Sequence, residues 1–203
     1  MTYRIAIAAW LVVTAMFGSA HAADPRHPDW PCVQAKVPEI SLAAVWAGPP
    51  LDDISGKWKE DATIGSLVSK LAARRTSLDE AQKAVADYLK NAADKTTSGK
   101  LLFSGLFDTL NGQRSQVMNG LERITRKQRD AADKIRADTL ALHALQGDAS
   151  RDQAKVDELG NQLVWQTRIF EDRQRVIKFV CEVPTAIDQR LFALGRMIQQ
   201  EIE

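Results

Sequence analysis

The chain has 203 residues, 45% of them hydrophobic and 6% aromatic, with 27 basic side chains against 26 acidic ones. That is enough apolar material for one sizeable core, and the low aromatic content suits a helical bundle. A near-neutral balance removes the electrostatic footprint of a nucleic-acid binder, whose phosphate contacts need an excess of Lys and Arg.

The N-terminus reads as an export signal. Arg4 precedes an apolar run from Ile5 to Phe17, and Gly18-Ser19-Ala20-His21-Ala22 ends in a small-x-small cleavage pattern, so residues 1–22 are expected to be a signal peptide. The apolar run is shorter than the roughly 20 residues that span a bilayer, so no membrane span is expected after cleavage. No cysteine lies just behind the run, so no lipid anchor is expected. The expected location is periplasmic or secreted. In that compartment the only two cysteines, Cys32 and Cys181, are expected to form a disulfide that staples the N-terminal segment to the last third of the chain. Their spacing excludes a Cys-x-x-Cys redox site and a haem-attachment motif.

Residues 23–59 form an expected extended arm rich in Pro and Trp. Pro25, Pro28 and Pro31 recur at the three-residue polyproline period and so share one face. The arm is expected to be pinned by Trp30 and Cys32 onto the protein's own helices; a ligand for a proline-reading domain is the alternative. His27 and Asp29 make a poor metal set once Cys32 is oxidised, because His143 is the only other histidine beyond residue 22. No metal or cofactor is expected. A short helical turn is expected at Ser41 to Trp46. Trp30, Trp46 and Trp58 read as apolar plugs against a helical surface, or, joined by Trp165, as the lining of a ligand pocket.

From residue 60 onward the pattern is helical throughout, so the predicted class is all-α. A first helix is predicted from Asp61 to about Arg75, burying Ile64, Leu67, Val68 and Leu71. Ser77 and Glu80 then fit a capping box for a second helix to about Asp94. Lys95 to Gly99 is expected to be a loop. A long helix follows, from Leu101 to about Leu145. Its four-three repeat runs through Phe103, Phe107, Leu110, Arg114, Val117, Leu121, Ile124, Gln128, Ala131, Ile135, Asp138, Leu142 and Leu145. Asn111-Gly112 is the one place where it could end.

A tip is expected near residues 146–151. The return helix repeats at Val156, Leu159, Leu163, Gln166, Phe170, Arg173, Ile177 and Val180, then keeps phase through Ile187, Leu191, Leu194 and Ile198. Pro184 predicts a bend or restart. The whole is an antiparallel, coiled-coil-like hairpin, with residues whose numbers sum to about 297 facing each other. Its outer half carries one apolar stripe. Toward the base, Leu102, Leu106, Met118, Val164, Trp165, Ile169, Val176 and Phe179 form a second apolar face, which the two short helices and the arm are expected to cover.

No Gly-x-Ser-x-Gly, His-Glu-x-x-His or phosphate-cradling glycine loop is present. The expectation is therefore a non-enzymatic adaptor, scaffold or accessory factor that acts through a protein partner or by self-association. Arg114, Gln128, Asp138 and Arg173 are the polar seam residues expected to set register or partner choice. The alternative is a carrier of a small ligand or metal, with a pocket among Trp30, Trp46, Trp58 and Trp165.

Overall fold

Three aspartates and one serine set where the main helices begin. In the computed structural model, which describes residues 24–203, Asp61 accepts from the backbone N–H groups of Thr63 and Ile64 and opens α2 (Ala62–Ala72), after a four-residue α1 (Leu42–Val45) and a 3-10 turn (Lys57–Glu60). Ser77 and Glu80 form the reciprocal capping box that starts α3 (Leu78–Lys90). Asp94 accepts from Thr97 N–H and Thr97 Oγ1 and starts α4 (Lys95–Gly147), and Asp152 caps α5 (Gln153–Val180). The last helix, α6 (Val183–Ile202), has Pro184 in its first turn, where a missing N–H costs nothing. No strand occurs among the described residues. The expected signal peptide lies outside them.

Three boundaries differ from the sequence reading, the first being the end of α2, which stops at Ala72 rather than near Arg75. Lys95 to Gly99 is helix, not loop, because the Asp94 to Thr97 cap starts the helix there despite its Thr-Thr-Ser-Gly composition. Gly99 is buried against α6: a Cβ on it would stand 2.6 Å from Ile202 Cγ2 and 3.2 Å from Ile198 Cγ2. The second short helix ends at Lys90, short of Asp94. At Asn111-Gly112, α4 continues without interruption.

Side-chain contacts fix the direction of the long elements. Arg114 Nε lies 2.8 Å from Asp188 Oδ1, Gln128 Nε2 donates to Phe170 O at 2.9 Å, and Gln162 Nε2 donates to Asp138 at 3.5 Å. As the number rises on α4, the number of its partner falls, so α5 and then α6 run antiparallel to α4.

The main core cluster lies at one end, and beyond it only a thin line of buried apolar residues, Met118 and Leu121 on α4 and Val156 on α5, continues between the long helices. Leu102, Phe103, Leu106 and Leu110 of α4 are buried with Leu191, Leu194 and Ile198 of α6, Val68 and Leu71 of α2, and Ala81, Val85 and Leu89 of α3. No member of this cluster falls between residues 111 and 186. Two further glycines allow close approaches between elements. At Gly105 a Cβ would stand 2.7 Å from Val68 Cγ2 and 2.9 Å from the Trp58 ring, and at Gly195 it would meet Val45 O and Phe103. Arg190 ties the layers together, donating from Nε and Nη2 to Leu71 O at the end of α2 and from Nη2 to Thr76 O. Burial holds its pKa below the ordinary value.

Residues 24–40 follow the other flank of α4. Asp29 pairs with Arg126 at 2.8 Å and with Arg129, Lys36 Nζ lies 2.5 Å from Glu122 Oε1, and Pro38 O accepts from Arg114 Nη1 at 3.3 Å. The sulfurs of Cys32 and Cys181 are at bonding distance, joining this segment to the junction of α5 and α6.

Candidate functional site

The second apolar face is covered on only one of its two helices. On α4, Leu102, Leu106 and Met118 are buried. On α5 the expected cover is absent: Trp165 is 65% exposed, Val176 58% and Phe179 72%, with Val164 and Ile169 also open. The reason is reach. The short helices α2 and α3 have 11 and 13 residues, so at 1.5 Å per residue each covers less than about 20 Å, and both are spent on α4 and α6. Burial by the base ends near Val180 rather than near Val164.

The bare stripe is in phase with a covered one. Trp165, Ile169, Asp172, Val176 and Phe179 follow steps of four, three, four and three, and the same face continues on α6 as Val183, Ile187 and Arg190. At the base that face meets α2 and α3. Along α5 it meets water. Beside it, Val117, Gly120 and Ile124 of α4 and Asp172, Val176 and Val180 of α5 bound an apolar groove of about 440 Å³. Val117 also borders a cleft of about 640 Å³ between Leu78, Leu110 and Ile187, with Arg74 and Arg190 among its lining residues.

The four polar seam residues have different surroundings. Arg114 is 4% exposed, and its Nη1 contacts Pro38 O and Met118 Sδ. Its Nε is close to Asp188 Oδ1 but poorly aimed, so neither atom gains a well-directed hydrogen bond and the contact is an ion pair. Burial of Asp188 outweighs the adjacent guanidinium and raises its pKa above the ordinary carboxylate value. Gln128 is buried with its Nε2 satisfied and its Oε1 unpartnered, as is Gln166 Oε1 across the seam. Asp138 pairs with Lys134 at 2.9 Å and is held below the ordinary carboxylate range by that bond and by a hydrogen bond from Gln166. Arg173, expected in the seam, is exposed on the groove edge. A long cation at a seam position extends its head to water where no carboxylate faces it.

The four indoles do not share a pocket. Trp46 is buried, stacked on Phe103 at 4.3 Å between centroids, and its Nε1 donates to Pro49 O at 2.8 Å. Trp58 sits over Gly105 and donates to Asp108 Oδ2 at 2.9 Å, while Trp30 donates to Gln34 O at 2.7 Å. Trp165 lies on α5 level with about residue 133 of α4, roughly 45 Å along the helix from Phe103. Among the described residues no group of three or more His, Cys, Asp or Glu is placed to hold a metal, and no helix is long and apolar enough to cross a membrane. Comparison with protein-family models, curated proteins and solved structures finds no match.

Proposed function

We propose that this chain is a non-enzymatic helical protein that works outside the cytoplasm and acts by presenting α5 to another protein surface. In this reading α4 and α5 form a coiled-coil-like hairpin projecting from the base built by α2, α3 and α6, and residues 24–40 with the cystine brace its root. One observation carries the reading: an apolar stripe with Trp165 and Phe179 stands open on α5, while the continuation of the same face on α6 is packed. Large exposed apolar patches on otherwise polar helices mark interaction surfaces, and aromatic anchors dominate the energetics of such contacts. The small-ligand reading loses its support because the tryptophans that suggested it sit apart. A photo-crosslinking residue placed at Ile169 in cells should give discrete protein adducts, and the same residue at exposed Asp87 on α3 should give none. Absence of any protein adduct from Ile169, including one to the chain itself, would refute the proposal.

A further inference from the structure

We infer that the bare α5 stripe is covered by the α5 stripe of a second copy, antiparallel across a two-fold axis at Asp172. This rests on the interaction reading above and names its partner. A two-fold interface must be self-complementary, each residue meeting a counterpart whose position mirrors its own. The stripe has that symmetry. Trp165 and Phe179 stand seven residues on either side of Asp172, and Ile169 and Val176 stand three before and four after it. Antiparallel pairing about Asp172 therefore sets Trp165 of one copy opposite Phe179 of the other, with Ile169 and Val176 between them.

Charge at the centre fits the same axis. Asp172 pairs with Arg175 on its own helix, and Arg168 lies one turn before it. In the dimer the two Asp172 carboxylates face each other at the axis, and Arg168 and Arg175 of each copy, four and three residues from it, lie within about one turn of the other copy's carboxylate and offset the repulsion between the two acids. A further complement lies toward the base. The same register brings Glu158 of the second copy level with Ala186, beside the cleft whose lining includes Arg74 and Arg190.

Size and continuity also favour this occupant. From their exposure, Trp165, Ile169, Val176 and Phe179 present about 500 Å² per copy, so with the arginine stems the pair reaches roughly the lower bound of 1,200 Å² for a specific interface. The stripe continues a face that α3 and the C-terminal end of α2 already meet on α6, so a helix of the second copy extends an existing helical layer.

Sedimentation of the purified chain should show a monomer–dimer equilibrium in the micromolar range. Ile169→Glu should weaken it about tenfold or more with unchanged circular dichroism, because its site is open in the monomer. The chain has no free cysteine, so Asp172→Cys should form a disulfide-linked dimer under mild oxidation, while Lys178→Cys on the other face of α5 should not. A monomer at all concentrations, with no Asp172→Cys dimer, overturns the self-pairing. If that monomer still gives Ile169 adducts to a different protein, the interaction reading survives and only its partner changes. If it floats with anionic vesicles and gives no protein adduct, both fail.

Discussion

Replacing Cys32 with serine separates the segment at residues 24–40 from the junction of α5 and α6. The two cysteines are 149 residues apart, and closing a loop of that length restricts the unfolded chain by about 5 kcal/mol on the chain-entropy model. The folded structure reduces what is observed. Residues 24–40 give no member to the buried core and are held by the Asp29 and Lys36 ion pairs and the Arg114 contact to Pro38 O. The arginine ends of the Asp29 pairs are about half exposed, and such pairs contribute about 0–1 kcal/mol each, while Lys36–Glu122 is largely buried and its desolvation offsets much of its attraction. Without the bond the segment can leave α4 while the helices stay packed, which returns some entropy to the native state. A net loss of about 2–4 kcal/mol is expected. For a chain of this size that lowers the melting temperature by about 5–15 °C. Thermal melts followed by circular dichroism should show this drop with the pre-transition helical signal unchanged. Limited proteolysis should newly cut within residues 24–40. Equal melting of the wild-type chain under oxidising and reducing conditions would refute the reasoning.

Arg114→Ala removes a buried cation and leaves Asp188 with no partner; since Asp188 is half-buried and can regain water, chemical denaturation should show a loss of about 2–3 kcal/mol, below the 3–5 typical of fully buried pairs. Gly105→Ala puts a methyl within 2.9 Å of Val68 and Trp58, and the clash should exceed the gain in helix propensity, for a net loss of about 1–2 kcal/mol in the same assay. Two aspartates should bend the pH dependence of stability in opposite directions. Asp138 is held below its ordinary 3.8, so its contribution is present above that pH and lost as pH falls through the depressed value, and Asp138→Asn should flatten the acid side of a melting profile. Asp188 is raised above 3.8, so stability declines as pH rises from there through the raised value, and Asp188→Asn should remove that decline.

Much of the helical layout was legible because it is local. Asp61 and the Ser77 to Glu80 box announce helix starts through the amides they satisfy, and Pro184 announces a restart because it lacks a donor. The start at Asp94 was equally local, but the aspartate lies before a Thr-Thr-Ser-Gly run whose composition imitates a loop. The candidate site was legible only as a pattern. Trp165, Ile169, Val176 and Phe179 read as apolar positions in want of cover, and periodicity carries no information on what covers them.

Spacing along the chain by itself determined an all-helical protein with a long central helix, since apolar periodicity and capping act within a few residues. Only the tertiary structure decided that the main core cluster stops at Leu110 and Ile187, that Arg173 turns to water while Arg114 is enclosed, and that the tryptophans stand apart. Those outcomes depend on how far two helices of 11 and 13 residues reach along helices of 53 and 28. That length mismatch leaves the face of α5 open.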